Sequence, residues 1–98
     1  MAEITEPTEL VDYESFVISE FKKDFELCRE MIINSIEDKD TAFILLNLKR
    51  IIKARGYEDL KSADLSEDQI NNAIESKENY DRDIINKMLG ALEIKERI

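Results

Sequence analysis

The chain is almost free of residues that interrupt helices. Its 98 residues include only two glycines and one proline, so few positions offer the tight turns that β-hairpins need. Long stretches of good helix formers lie between these residues. Apolar residues make up 43% of the chain, which is enough for one modest core in a domain of this length. We therefore predict a single all-α domain.

An apolar stripe at helical spacing marks the first strong helix. The stripe consists of Phe21, Phe25, Cys28, Ile32 and Ile36, which recur at intervals of four and three residues. This spacing predicts one helix from about Glu20 to Ile36, with Phe16–Ile18 either its extension or a short extended segment. The position of Cys28 on the stripe favours a buried thiol over a reactive one.

A second helix follows from Thr41 to about Ala54, with Asp40 placed to cap it. Its first half is apolar nearly all round, which predicts the buried centre of the domain. Its end is basic, with Lys49, Arg50, Lys53 and Arg55 before a stop at Gly56. These four charges either complement the helix dipole or contact phosphates, and the sequence leaves both readings open.

Two short helices joined by a tight turn are predicted over about residues 57–76. Tyr57–Ala63 forms the first, and Ser66 caps the second, which runs to about Ser76 with Ile70 and Ile74 inward. This arrangement is typical of a helix-turn-helix. A last helix begins at Asp81 or Asp83, which gives five helices, four of them packed around the second.

Most of the negative charge lies at the start of the chain. The net charge is −9. Residues 1–40 carry 12 acidic and 4 basic side chains, whereas residues 41–98 carry 11 and 10. We predict a flexible acidic arm over residues 1–15 and a single helical domain over residues 16–98. The asymmetry predicts that the acidic half binds a basic partner. The alternative is that the acidic segment is only a solvated leader.

Several chemistries are not expected of this chain. It has no histidine and one cysteine, which excludes an internal disulfide, a Cys/His zinc site and a histidine base. The paired carboxylates Asp38/Asp40 and Asp81/Asp83 lie at predicted helix starts, where acids are common. We expect no enzyme activity, no cofactor and no metal. No apolar run is long enough for a membrane span and the N-terminus is acidic, so we expect a cytoplasmic protein.

Residues 25–95 resemble a known family. The sequence Asp38–Phe43 leads into a helix that ends Lys53-Ala54-Arg55-Gly56. Leu65-Ser66 then precedes Ile70-Asn71-Asn72-Ala73-Ile74, and the chain closes with a helix over Lys87–Lys95. In order and spacing these pieces resemble the addiction-module antidote proteins, antitoxins of HigA-like type with a Cro/repressor-class helix-turn-helix.

The resemblance implies a five-helix lambda-repressor-like bundle and an antitoxin function. Such proteins bind and neutralise a small basic toxin of the RelE/HigB-like ribonuclease class, and they repress their own operon. This chain departs from the family in two places. The segment between Gly56 and Leu65 is about one residue shorter, and Glu67 and Asp68 stand where the family tends to carry a basic residue.

The predicted DNA-binding residues surround the second helix of the helix-turn-helix. Gln69, Asn71 and Asn72 are amides able to contact adenine, and Lys61, Lys77 and Arg82, together with Lys87, could touch phosphates. Asp68, Glu75 and Glu78 would repel the DNA backbone. We expect weak operator binding by a homodimer, strengthened by the toxin. The alternative is that the amides only solvate the helix.

The predicted toxin-binding residues are Tyr13, Phe16, Phe21 and Phe25, because aromatic side chains dominate interface energies. The acidic segment would steer a basic ribonuclease to them. We predict that deletion of residues 1–20 weakens toxin binding and leaves the core folded. The alternative function is a repressor-like interaction module that has lost DNA binding and docks a protein or mimics nucleic acid.

Overall fold

A computed structural model describes the backbone of residues 2–98 and the side chains of residues 13–98. Within residues 2–98 the chain forms five α-helices and one 3₁₀ helix, and no strand. These are α1 (Ala2–Lys23), α2 (Phe25–Glu37), α3 (Thr41–Arg55), the 3₁₀ helix (Glu58–Ala63), α4 (Glu67–Ala73) and α5 (Arg82–Ala91). The prediction of an all-α fold is confirmed.

The predicted helix over Glu20–Ile36 is two helices. Asp24 has extended backbone, and its Oδ1 accepts a hydrogen bond from Leu27 N at 3.1 Å, which caps α2. The prediction of one helix is therefore wrong. The apolar stripe continues through the break because Phe21 before it and Cys28 after it enter the same core.

The N-terminal boundary also differs from the expected one. Helical backbone begins at Ala2, and Phe16–Ile18 belongs to the same helix. The acidic side chains of the predicted arm, from Glu3 to Asp12, lie outside the described side chains. Glu14 falls inside the predicted arm, but it pairs with Arg50 of α3, so the contact with the domain starts at or before residue 14.

The helices enclose one apolar core. α1 and α2 pack on α3, while α5 packs on the 3₁₀ helix and on α4. The buried apolar side chains are Val17, Phe21, Cys28, Ile32, Ile44, Leu45, Leu48, Ile51, Leu60, Ile70, Ala73, Ile74, Ile85, Met88, Leu89, Leu92 and Ile94. The sequence predicted that four helices pack around the second predicted helix, which is α3. This holds for α1 and α2, whereas the 3₁₀ helix and α4 pack mainly on α5.

The predicted caps of three helices and the predicted stop at Gly56 are confirmed, whereas α4 ends at Ala73 rather than near Ser76. Asp40 caps α3 through Phe43 N, and Asp81 caps α5 through Ile84 N. Ser66 and Gln69 form a reciprocal capping box at α4. Gly56 ends α3 with a φ of 71°, a region that favours glycine.

Candidate partner-binding surfaces

Two aromatic side chains on α1 are exposed. Tyr13 and Phe16 each have 60% of their surface open to solvent. A large apolar side chain gains free energy when such surface is buried, at roughly 25 cal/mol per Å². The exposed aromatic pair, Tyr13 and Phe16, is therefore available to a partner.

The other two predicted anchors are not available in the same way. Phe21 is completely buried in the core, so no partner can reach it without unfolding α1, and it must be removed from the set of surface anchors. Phe25 is half-buried, and the guanidinium of Arg55 lies over its ring at 5.0 Å from the centroid. Helical spacing placed Phe21 and Phe25 on the apolar stripe, but it did not show that Phe21 is completely buried and that Phe25 keeps part of its surface exposed.

A polar network joins α1, α2 and α3. Arg50 Nη2 contacts Glu14 Oε1 at 2.7 Å, and Arg50 Nη1 donates to Asn47 Oδ1 at 3.4 Å. Asn47 Nδ2 in turn donates to Ser35 Oγ at 3.0 Å. Arg50, Asn47 and Ser35 are buried, whereas the Glu14 side chain is 39% exposed. Glu14 is thus the one member of the network that solvent or a partner can reach.

The charges of this network are mutually stabilised. The hydrogen bond from Arg50 lowers the pKa of Glu14 below its ordinary value, and this effect exceeds the opposing effect of burial. Lys53 adds a smaller attraction of the same sign. Glu14 is therefore ionised at neutral pH.

The basic cluster at the end of α3 is divided between structure and surface. Arg50 belongs to the buried network, and Arg55 Nε contacts Asp59 Oδ2 at 2.5 Å. Arg55 Nη1 also donates to the carbonyl oxygens of Phe21 and Lys22, at 3.3 and 3.2 Å, where α1 ends. Only Lys49 and Lys53 remain exposed, so the cluster offers two charges to a phosphate rather than four.

Two of the three predicted DNA-reading amides already have partners. Gln69 Oε1 accepts from Ser66 N at 2.9 Å, and Asn71 Oδ1 accepts from the Tyr57 hydroxyl at 3.0 Å. Asn72 is exposed, and within residues 13–98 its side chain makes no hydrogen bond. Asn72 is therefore the amide best placed to contact a base.

The charges around α4 are mostly negative. Glu67, Asp68 and Glu75 are all exposed. An open cleft of about 670 Å³ separates α4 from the start of α5, and its lining includes three carboxylates, of Glu75, Asp81 and Asp83, against the single cation Arg82. A phosphate would meet net repulsion at this cleft.

The predicted phosphate-contacting residues differ in whether their charges are already paired. Lys61 pairs with Glu58 at 3.2 Å, and both side chains are almost three-quarters exposed, so the pair is weak. Lys77 and Arg82 are exposed and form no salt bridge within residues 13–98, and the same holds for Lys87. Their charges remain available to DNA.

A basic groove lies between α3 and α4. It has a volume of about 350 Å³, and its apolar lining is formed by Ile52 and Ile74. Lys49 and Lys53 stand on its α3 side, opposite Asn71 and Glu75. Lys49 Nζ donates to Glu75 O at 3.0 Å, which ties the two helices together across the groove. The sequence indicated the lysines but not that Ile52 of α3 and Ile74, which follows the end of α4, line one groove.

No metal-binding arrangement is found in the described part of the chain. Asp40 and Asp81, one from each carboxylate pair, are occupied as helix caps. Within residues 13–98, no three cysteine, aspartate or glutamate side chains converge as metal ligands would. None of the described helices has the length and continuous apolar surface that a membrane crossing requires.

A scan against protein-family models finds no match to this chain, and comparisons with curated proteins and with solved structures find no significant similarity either. The function must therefore be inferred from the residues of the chain itself.

Proposed function

We propose that this protein is an antitoxin of the HigA-like type, which captures a small basic ribonuclease of the RelE/HigB-like class through α1. The observation that carries the proposal is the exposed aromatic pair on an acidic helix. Two rings that are each 60% open provide apolar anchors, and residues 1–14 contain five acidic and no basic residues. A basic partner would be steered by the charges and held by the rings.

Glu14 belongs to the proposed site, but its charge is already used within the chain. It lies next to Tyr13 in the sequence, its side chain is partly exposed, and its charge is already balanced by Arg50. A basic partner that approaches Glu14 would meet an ion pair rather than a free carboxylate. The acidic residues earlier in the sequence, Glu6, Glu9 and Asp12, would therefore provide most of the attraction.

The experiment is a binding titration with the basic toxin encoded beside this chain. Substitution of both anchors, Tyr13→Ala with Phe16→Ala, should weaken binding by roughly a hundredfold, since two interface anchors commonly cost more than 1 kcal/mol each. Leu46→Ala, which removes an exposed apolar side chain of α3, is the matched control and should bind like the wild type. Unchanged affinity of the double variant would contradict the proposed site.

Operator binding is the second part of the proposed function. It is supported by the 3₁₀ helix, the tight turn and α4, which have the order of a helix-turn-helix, and by the exposed amide of Asn72. We propose a lambda-repressor-like unit that binds weakly, as a dimer, and more tightly with the toxin. The chain should shift its own upstream DNA in a salt-dependent way, and Asn72→Ala should weaken the shift roughly tenfold. If no salt-dependent shift occurs with or without toxin, DNA binding is excluded.

A specific observation favours the alternative, a repressor-like interaction module without DNA binding. The residues exposed on α4 include Glu67 and Asp68, and no basic residue lies within that helix. The arginines of α3 are engaged in internal contacts. Toxin binding without any DNA shift is the outcome expected from this alternative.

A further inference from the structure

A pocket lies where the end of α2, the starts of α3 and α5, and the last residues of the chain meet. Its volume is about 310 Å³, near the lower end of the roughly 300–1,000 Å³ typical of small-molecule sites. This C-terminal pocket is lined by Ile36, Lys39, Thr41, Ile44, Tyr80, Arg82, Arg97 and Ile98. None of these residues belongs to α1 or α4, so the pocket is separate from the exposed aromatic pair and from the amides of α4.

The walls of the C-terminal pocket are largely apolar. Ile44 is almost fully buried, so the accessible apolar surface comes from Ile36, Tyr80 and Ile98, which pack on the core and stay partly exposed. Asn86 of α5 fixes the wall formed by Ile98, because its Oδ1 accepts a hydrogen bond from Ile98 N at 2.9 Å. The pocket therefore offers a formed apolar surface to a ligand.

Three cations surround this apolar surface. Lys39 and Arg82 are exposed, and neither forms a salt bridge within residues 13–98. Arg97 Nη1 donates to the carbonyl oxygens of Ile94 and Glu96, which leaves Nε and Nη2 without a partner in the same part of the chain. Among the described side chains, no aspartate or glutamate lines the pocket. Its cations are thus free to bind an anion.

The acidic residues that are close in sequence to these cations lie outside the lining. Asp40 and Asp81 accept backbone hydrogen bonds as the caps of α3 and α5. Asp38 and Asp83 line two neighbouring clefts. The carboxylate of Ile98 forms no salt bridge with the three cations, and three cations against this one carboxylate leave a positive excess. In a chain with a net charge of −9, such an excess around an apolar pocket selects an anionic ligand.

We propose that the C-terminal pocket binds a small amphipathic anion, an apolar body that carries one carboxylate or phosphate head. The body lies against Ile36, Tyr80 and Ile98, and the three cations hold the head, because guanidinium groups present paired N–H donors that match both kinds of head. The hydroxyl of Thr41, which makes no hydrogen bond within residues 13–98, supplies a further polar contact. This ligand site goes beyond the proposed binding of toxin and operator.

A titration of the full ¹⁵N-labelled chain, followed by the NMR shifts of its backbone amides, tests the site. The probes are hexanoate and hexyl phosphate, and either should bind with a Kd below about 5 mM and shift the amides of Lys39, Thr41 and Arg82. Hexan-1-ol lacks the charge and acetate lacks the apolar body, so both should bind at least about tenfold more weakly. The tighter of the two anions identifies the head group.

Variants separate the pocket from general charge effects. Lys39→Gln with Arg82→Gln should weaken binding of the tighter anion at least about tenfold, because it removes two of the three cations. Lys53→Gln with Lys87→Gln makes the same change in net charge on exposed lysines outside the pocket and should bind like the wild type. Circular dichroism verifies that each variant is folded.

Three results would overturn the proposal. The first is that neither anion shows saturable binding to the wild-type chain, and the second is that hexan-1-ol binds as tightly as the anions. The third is that the pocket variant and the control variant bind alike. The first two are measured on the wild-type chain and need no variant to fold. Arg82 is also a predicted DNA contact, but no toxin and no DNA takes part in these titrations, so their failure is distinct from a failure of the proposed function.

Discussion

At the scale of single residues, the buried polar network decides how the N-terminal helices fit together. Asn47 and Ser35 are completely buried, and Asn47 contacts both Ser35 and Arg50. A buried amide costs free energy unless its hydrogen bonds are made, so this network fixes the register of α2 on α3. Because Arg50 also contacts Glu14, the same network locates α1.

Asn47→Ala should destabilise the fold by about 1–3 kcal/mol, because it removes the buried hydrogen bonds to Ser35 and Arg50, which then keep only their contacts with Met31 O and Glu14. Urea unfolding measured by circular dichroism gives this difference. Asn34→Ala, on the exposed side of α2, is the matched control and should change the free energy of unfolding by less than about 0.5 kcal/mol. Equal stability of the two variants would show that the network contributes nothing measurable.

The lowered pKa of Glu14 predicts a pH-dependent part of the stability. A carboxyl whose pKa falls on folding stabilises the fold above its unfolded value, near 4.5, and loses that contribution as the pH falls through its folded value. Glu14→Gln removes the charge and should cost about 1 kcal/mol at pH 7. The difference between the wild type and Glu14→Gln should shrink as the pH falls from 5 to 3, measured by urea unfolding at each pH. A constant difference over this range would contradict the assigned ion pair.

At the scale of elements, arginines and caps determine where helices begin and end. Arg55 binds the carbonyl oxygens at the end of α1, and Arg29 binds those of Leu92 and Glu93 at the end of α5. Each arginine thereby joins two elements that are distant in sequence. Asp24 divides the N-terminal stripe into two helices, which lets α1 and α2 both pack on α3.

α4 depends strongly on its N-terminal cap because it has only seven residues. Ser66→Ala removes one half of the capping box and should cost about 1 kcal/mol. Ser62→Ala, in the exposed part of the 3₁₀ helix, serves as the control and should leave the thermal midpoint unchanged. Hydrogen exchange of the α4 amides should also increase in Ser66→Ala. If hydrogen exchange of these amides does not increase, the packing of Ile70 and Ile74 alone is enough to hold α4.

At the scale of the whole molecule, α1 has two parts with different roles. Residues from Glu14 onwards complete the core, and the N-terminal half is the part proposed to meet other molecules. The predicted deletion of residues 1–20 would therefore remove Val17 and Glu14 as well as the acidic segment. Its effect on a partner could not be separated from its effect on folding.

Deletion of residues 1–12 separates these roles. This truncated chain keeps Glu14, Val17 and Phe21, so its thermal midpoint should stay within a few degrees of that of the full chain. Deletion of residues 1–20 exposes the core surface covered by Val17 and should cost at least about 1.5 kcal/mol. Differential scanning calorimetry of the two truncated chains and the full chain measures these losses of stability. Similar losses in both chains would mean that residues 1–12 also stabilise the core.

The sequence alone determined the fold class and most helix ends. Scarce glycine and proline, apolar residues at helical spacing and local caps such as Asp40, Ser66 and Asp81 are all short-range signals. It also marked Cys28 as buried, which is confirmed; burial raises the pKa of its thiol to about 11. The sequence missed the helix start at Asp24, because an apolar stripe that crosses a cap keeps its period.

The tertiary structure decided which charged and aromatic side chains are free. Four basic residues in α3 look alike in sequence, yet Arg50 and Arg55 are held by Glu14 and Asp59, and only Lys49 and Lys53 stay exposed. Phe16 and Phe21 are equally apolar, but one is exposed and the other buried. Helical periodicity is a property of neighbouring residues, whereas exposure and pairing also depend on residues far away in the sequence, such as Glu14, which pairs with Arg50 across 36 positions. For that reason the fold class follows from the sequence, and the surfaces available to partners follow only from the packing of the helices.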